Sequence, residues 1–404
     1  MNFKGKGVIN IGAERQLSIH RSIQEISKEW DTLGDGSPYS KSGYLNLLEE
    51  SGPVGYSYYY VLIWQQDVVV GGVYCQKKLI DLVKDYRLHT HSEAFLEKFK
   101  VAATKFVFSF VKHQMLICGN VLLTGEYGFS INNELESESD TLIDTALNEV
   151  IKYIKEEEGV KVNSVLLKDY YKAAPFKKTS FQHKDYFSFE VQPDMVIDIN
   201  EKWESYNDYL AAAKSKYRVK FKKVKKSGKA LEFRTLTLEE ARLYNDDMYA
   251  LYKATADRAT FSLFLLQEHY FSKLLETFGD KLTLTGVFIE DKMVAFFTFL
   301  ENGTFGDAHF LGYDVKLNSK HQIYFNILLK LVERSIETRV SHLNLSRTAI
   351  EIKSSVGAQP HEMLIHLKYG NKFINKRFPY FFKKFLPENK WVVRSPFKED
   401  KSAR

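Results

Sequence analysis

The chain of 404 residues contains only two cysteines, Cys75 and Cys118, and eight prolines. Both cysteines lie in apolar runs, which predicts buried free thiols in a reducing compartment and no disulfide framework. The first residues contain no apolar segment of the signal-peptide type, and the richest apolar stretches are interrupted by polar residues. We therefore expect a cytoplasmic protein without a membrane-spanning helix.

Several catalytic signatures are also missing from the sequence. It contains no Walker loop, no HExxH, no CxxC pair and no GxSxG elbow. Nucleotide hydrolysis, zinc chemistry and serine hydrolysis are therefore poorly supported. We expect no metal site and no permanently bound cofactor.

The composition is that of a globular protein, with 44% hydrophobic and 27% charged residues, and the length predicts two domains. Helical and strand-like periodicities alternate along the chain, which predicts an α/β fold. Two helices followed by a hairpin occur near residues 22–77, and the same order recurs near residues 247–300. This repetition predicts a duplicated fold.

A charged stretch follows a short alternating apolar run at 340–345, which is typical of an interior strand. If the chain continues extended, Arg347, Glu351 and Lys353 share one face; if it turns helical, Arg347 and Glu351 meet at i,i+4. Either way we expect Arg347 and Glu351 to be neighbours. They form a structural ion pair or a substrate-facing site.

Residues 304–313 alternate as a strand, which puts Asp307, His309 and Tyr313 on one face. A carboxylate, an imidazole and a phenol in one row can serve acid/base chemistry, although a solvent-facing strand explains the pattern equally well. A helix is predicted to follow, starting at a capping box at Ser319.

Residues Asn200 to Trp203 start a predicted long helix whose continuation, 214–229, contains nine Lys and Arg residues and no acidic residue. The chain carries a net charge of +6, so its basicity is concentrated in this segment. Such a segment attracts phosphate groups, acidic lipid head groups or nucleic acid. A merely solvated lysine-rich face is the alternative.

The motif RTAIEIKSSVGA at 347–358, with AHFLGYD at 308–314 upstream, resembles the FemAB-like branch of the GNAT acyltransferase superfamily. The similarity is clearest from about 206 to 367 and weaker at 38–77 and 124–128. It implies tandem GNAT-like α/β (α+β) domains, each a mixed, mostly antiparallel twisted sheet flanked by helices. The expected domains are 1–180, a catalytic 181–370, and a basic aromatic tail at 371–404. The family pattern also makes Glu126 a candidate site residue.

One departure from ordinary GNAT enzymes concerns the loop before the helix, Val315-Lys316-Leu317-Asn318, which lacks the glycines that hold a coenzyme A pyrophosphate. We therefore expect the basic helix to bind the phosphates instead of this loop. The predicted cofactor-binding residues are Lys216, Arg218, Lys220, Lys222 and Lys223.

The resemblance implies a bacterial N-acyltransferase that moves a long-chain acyl group from acyl-CoA or an acyl carrier protein to the amine of a sphingoid-type aminolipid. His309, which titrates near neutrality, is the expected base, oriented by Asp307, and Tyr313 or Tyr324 supplies a proton. Arg347, Glu351, Lys353 and Glu126 are the expected substrate-binding residues. The inner face of the membrane is an expected partner.

Two alternatives stay open. A FemAB-like enzyme of cell-wall synthesis would use aminoacyl-tRNA, which the basic helix would then hold. A non-catalytic protein would use the basic helix alone to bind nucleic acid or a membrane surface.

Overall fold

The computed structural model describes residues 8–12, 14–34, 36–81, 112–177, 181–258, 264–377 and 391–398. Most of the predicted tail, residues 378–390 and 399–404, lies outside these ranges. The chain divides into unit 1, residues 1–191, 259–266 and 363–387, and unit 2, residues 192–258, 267–362 and 388–404. The boundaries expected at residues 180 and 370 stay a prediction.

The elements up to residue 171 alternate between strands and helices as the periodicity predicts. They are β1 (Val8–Gly12), β2 (Arg15–His20), α1 (Ser27–Trp30), α2 (Ser42–Ser51), β3 (Tyr56–Gln65), β4 (Val68–Asp81), β5 (Lys112–Cys118), β6 (Phe129–Ile131), α3 (Ser139–Glu158) and β7 (Val162–Tyr171).

The remaining elements follow in the same manner. They are β8 (Phe187–Asp198), α4 (Tyr206–Ala212), α5 (Ser215–Ser227), β9 (Glu232–Thr235), α6 (Leu238–Leu243), α7 (Asn245–Ala256), α8 (Tyr270–Phe278), β10 (Leu282–Ile289), β11 (Lys292–Asn302), β12 (Phe305–Asp307), β13 (Leu311–Tyr313), α9 (Val315–His321), α10 (Ile323–Glu337), β14 (His342–Asn344), α11 (Ile350–Ser355) and β15 (Gln359–Tyr369).

The sheet of unit 1 has the order β1-β2-β3-β4-β5-β7, and residues Met363–Tyr369 of β15 pair with β7. Only β5 and β7 run parallel among these pairs. A parallel pair needs a crossover, which here includes α3. One face of α3 is buried in the core of this unit, with Leu142, Ala146 and Val150.

Unit 2 has a sheet in which Val196–Asp198 of β8 pair with β14, followed by β12, β11, β10 and β9. Here β12 and β14 are the parallel pair, and α10 lies in the crossover between them. Ten residues of α10 are buried, and eight of them belong to the hydrophobic core of unit 2. The predicted fold class, mixed and mostly antiparallel sheets flanked by helices, is confirmed.

Both predicted hairpins form. Their two-residue turns, Gln66-Asp67 and Glu290-Asp291, have positive φ at both residues, as tight hairpin turns with matching twist require. The large aromatic side chains fill the interior: six tyrosines and five phenylalanines are among the largest fully buried side chains. No helix among the described residues is long and apolar enough to cross a membrane.

Three predicted elements are wrong. The long helix from residue 200 is broken into α4, which a capping box at Ser205 and Asp208 begins, and α5, because Ala213 is extended. The helix predicted from Ser319 through Leu331 is two helices, α9, which the Asp314 carboxylate caps at Val315, and α10, which begins at Ile323, because Gln322 has a φ of 50°. The sequence at 121–131 also predicts a strand, of which the structure keeps only β6, because Gly125 has a φ of 118° that an extended strand does not accommodate.

Candidate active site

The carboxyl ends of the parallel strands β12 and β14 meet at one edge of the unit 2 sheet. Asp307 and Asn344 are the last residues of these strands and lie opposite each other in the register. Both side chains are buried. Polar groups at the carboxyl ends of parallel strands occupy the place where open α/β sheets bind ligands.

The Asp307 carboxylate is held by two side-chain amides. Nδ2 of Asn302 donates to its Oδ2 at 2.8 Å, and Asn344 contributes a second hydrogen bond. The pKa of Asp307 is raised to about 7. Burial is the main cause, the nearby Asp194 carboxylate also raises the pKa, and the two amides oppose the rise. A pKa in this range suits a group that takes up and releases a proton near neutral pH.

Lys353 lies in α11 with only 4% of its surface exposed. Its Nζ donates to the backbone oxygens of Ser346 at 3.1 Å and Arg347 at 2.6 Å. The pKa of Lys353 is lowered to about 7. Burial is the main cause, the Asp194 carboxylate opposes the decrease, and the Arg347 guanidinium adds to it. The ammonium group thus fixes the backbone of the loop that carries Arg347.

Asp194 connects these two groups electrostatically, and the sequence analysis missed it. It is completely buried in β8, beside Met195, whose backbone bonds to residues 345 and 346. Its negative charge acts on the pKa of both Asp307 and Lys353. The signal was present in the sequence, because Asp194 directly precedes the apolar run of a buried strand.

The expected pairing of Arg347 with Glu351 is wrong. Ser346, Thr348 and Ala349 have φ values of 59°, 72° and 49°, so the segment before α11 is neither extended nor helical. Neither the extended nor the helical backbone that would have made Arg347 and Glu351 neighbours is therefore present. Glu351 Oε2 instead accepts a hydrogen bond from Nη2 of Arg394 at 3.4 Å.

The expected row of Asp307, His309 and Tyr313 on one strand is also wrong. Asp307 ends β12 opposite Leu300 of β11, whereas Tyr313 ends β13 opposite Ala295. Five residues of β11 separate these positions, or about 17 Å at the rise of a strand. Tyr313 packs beside the other predicted proton donor, Tyr324, with ring centroids 5.9 Å apart.

His309 lies in the irregular segment between β12 and β13, where its Nε2 is 2.9 Å from the Tyr270 hydroxyl. Although the residue is partly exposed, the rings of Tyr270 and Phe310 surround its imidazole. Desolvation lowers the pKa of His309 to about 3. The premise that it titrates near neutrality is therefore wrong, and its place in the catalytic set stays a prediction.

The cations of α5 project in different directions. Nζ of Lys220 lies 3.4 Å from Ser355 Oγ in α11, and burial followed by the nearby Arg394 lowers its pKa. Arg218 donates to the Ala211 carbonyl oxygen at 3.2 Å. Lys222 and Lys223 are exposed on the helix surface. The predicted phosphate-binding set of Lys216, Arg218, Lys220, Lys222 and Lys223 stays a prediction.

A family model described as peptidoglycan biosynthesis/recognition, the FemAB-like model, matches residues 22–306. The chain belongs to the FemAB-like family. No curated protein matches the sequence.

Solved structures resemble this FemAB-like chain at low identity. FemX is 11% identical, with a TM-score of 0.47, over 86% of this chain and 96% of FemX. L-PGS from Bacillus licheniformis is 11% identical, with a TM-score of 0.41, over 87% of this chain and 99% of that one. A GCN5-related N-acetyltransferase from Kribbella flavida is 10% identical, with a TM-score of 0.41, over 88% of this chain and 71% of that one. These scores are too low to transfer chemistry.

Glu126, which the family pattern made a candidate, lies in unit 1. Its side chain is 6% exposed, and Oε1 accepts a hydrogen bond from the Tyr171 backbone at 3.1 Å. This bond gives Glu126 a structural role in a FemAB-like unit. Its role in substrate binding stays a prediction.

Proposed function

We propose that this FemAB-like protein transfers an acyl group from an activated donor to an amine, with Asp307 as the general base. The observation that supports the proposal is the buried group of Asp194, Asp307 and Lys353 at the ends of parallel strands. Two opposite charges whose pKa values both lie near 7 are expensive to keep in a protein interior, and such groups cluster at functional sites.

The reaction needs a neutral amine, because an ammonium ion has no lone pair. In the proposed step, the Asp307 carboxylate takes one proton from the ammonium of the acceptor, and the free amine attacks the acyl carbon. The carbonyl oxygen then gains negative charge, which the cations of Arg347 and Lys353 stabilise electrostatically. The carbonyl re-forms as the thiolate or alkoxide leaves, and the attacking nitrogen gives up its surplus proton to that leaving group; Asp307 returns its own proton to solvent.

The donor is an acyl thioester of coenzyme A or of an acyl carrier protein, and Lys220, Lys216 and Arg394 bind its phosphates. Lys220 supports this assignment because Lys216 and Arg394 both act on its pKa, so the three cations lie close together. The acceptor is a lipid-like amine of the sphingoid type, and the protein works in the cytoplasm. The proposed step does not use Tyr313, whose position lies about 17 Å along β11 from that of Asp307, or Tyr324, which packs beside Tyr313.

A second candidate uses aminoacyl-tRNA as the donor and a peptidoglycan peptide amine as the acceptor. The family description, peptidoglycan biosynthesis/recognition, favours it. Both candidates require the same proton transfer at Asp307. They differ in the donor, which is a thioester in the first case and a ribose ester in the second.

A crossed assay tests both candidates. The purified protein is incubated with acyl-CoA or with aminoacyl-tRNA, each against an aminolipid and against a peptidoglycan precursor peptide, and amide products are detected by mass. Product from acyl-CoA and the aminolipid supports the first candidate, and product from aminoacyl-tRNA and the peptide supports the second. The absence of product in all four mixtures, or equal turnover by Asp307→Asn, contradicts the proposal.

A further inference from the structure

The outward side of α5 is exposed in the part of the chain that the structure describes. Phe221 and Val224 are the buried residues of this helix. With 3.6 residues per turn, the opposite side of the axis presents Val219, Lys222, Lys223 and Lys226, which we call the outer face of α5. All four side chains are exposed.

The lysines of the outer face differ from the cations at its flanks. Nζ of Lys225 lies 3.8 Å from the centroid of the Tyr206 ring and 4.0 Å from Glu333 Oε2. Lys220 contacts Ser355 and the Phe325 ring. Among the residues that the structure describes, no carboxylate forms an ion pair with the lysines of the outer face. Their charge is therefore available to a partner.

Exposed aliphatic side chains occur on the outer face and in the segment held at the beginning of α5. Val219 is 64% exposed in the middle of the outer face, and Val392 and Val393 are 53% and 40% exposed. The segment 391–398 is held at the beginning of α5, because the Lys214 backbone donates to the Pro396 oxygen at 2.7 Å. Within the described part of unit 2, only one other large hydrophobic side chain, Leu243, is comparably exposed.

We propose that the outer face of α5 docks onto the surface of an anionic lipid bilayer. Lysines would meet the lipid phosphates while the aliphatic side chains enter the head-group region, a combination typical of interfacial helices. Nucleic acid fits less well, because single strands are bound through aromatic stacking and the outer face offers valine. The proposal does not depend on the acyl-transfer function.

Flotation with vesicles tests the docking. Phosphatidylcholine vesicles with and without phosphatidylglycerol are mixed with the full chain at low and high salt. We expect salt-sensitive binding only to the anionic vesicles. The triple variant K222Q/K223Q/K226Q should weaken it roughly 100-fold, because each basic side chain near an anionic surface contributes about fivefold. Val219→Ser should weaken it about threefold through lost apolar contact.

A matched control removes the same charge elsewhere. K28Q/K155Q/K161Q changes three exposed lysines of unit 1 and should bind anionic vesicles like the unchanged protein. Equal losses in the two triple variants, or no loss in either, would overturn the proposal. Binding to RNA with no binding to vesicles would also overturn it. Asp307→Asn should still bind vesicles, which separates docking from catalysis.

Discussion

The carboxyl ends of the parallel strands differ between the two units. In unit 1, β5 and β7 end near Lys168 and Asp169, whose buried ammonium and carboxylate form a direct ion pair. In unit 2, the hydrogen bonds of the buried Lys353 Nζ go to two backbone oxygens. A carboxylate neutralises an ammonium, whereas carbonyl oxygens offer only partial charge.

We propose that this difference separates a structural charge from a reactive one. The same strand topology places a buried lysine beside the strand ends in both units, so topology alone does not make an active site. In unit 2 burial brings the pKa values of Asp307 and Lys353 near 7, and the hydrogen-bond partners of the two groups are uncharged amides and backbone oxygens. Four experiments test this distinction, beginning with the largest expected effect.

Replacing Asp307 by asparagine should greatly lower the rate of amide formation. The substitution keeps the shape of the side chain but removes the base, so we expect turnover to fall roughly 10³-fold, or about 4 kcal/mol in the activation barrier. Steady-state kinetics of amide formation measure this. Asp280→Asn, an exposed carboxylate of the same unit, serves as the control. A loss of less than tenfold for Asp307→Asn would show that another group is the base.

Replacing Lys168 by methionine should destabilise unit 1 without altering chemistry. The change leaves the buried Asp169 without its ammonium partner, and we expect the free energy of unfolding to fall by about 3 kcal/mol. Urea denaturation measures the loss, and turnover per folded molecule should stay the same. Lys161→Met, at an exposed position, should change stability by less than about 0.5 kcal/mol. Lost turnover in folded Lys168→Met protein would contradict the comparison.

The stability of the protein should depend on pH through Asp307. Its pKa is about 7 in the folded state and lies near 4 in the unfolded chain, so the unfolded state binds fewer protons between these values. The free energy of unfolding contributed by this group should therefore fall by roughly 2 kcal/mol from pH 5 to pH 7. Urea titrations of the unchanged protein and Asp307→Asn measure it. Parallel curves for the two proteins would contradict the raised pKa.

The smallest effect concerns His309 and Tyr270. Tyr270→Phe removes the hydroxyl that contacts His309 Nε2 and should cost about 1 kcal/mol of stability. His309→Asn should lower turnover less than tenfold and leave the pH profile unchanged above pH 5, because an imidazole with a pKa of about 3 is already neutral there. A shifted profile in His309→Asn would restore the histidine as the base.

The sequence predicted the elements whose signals are local. The two hairpins and the buried free cysteines follow from periodicity and turn residues within short windows. The charged stretch at 346–358 and Asp307 were also recognisable, because charged residues beside apolar strands are rare. The partners of these residues could not be predicted from the sequence. Glu351 bonds to Arg394, and Asp194, which acts on Asp307, is more than a hundred residues away from it in the chain.

By itself, the sequence determined the mixed α/β class, the family and the concentration of positive charge on one helix, because these depend on composition and local pattern. The tertiary structure alone decided which charges are buried together. Burial shifts the pKa values of Asp307 and Lys353 towards each other. Desolvation depends on everything that packs around a group, and no spacing along the chain encodes that.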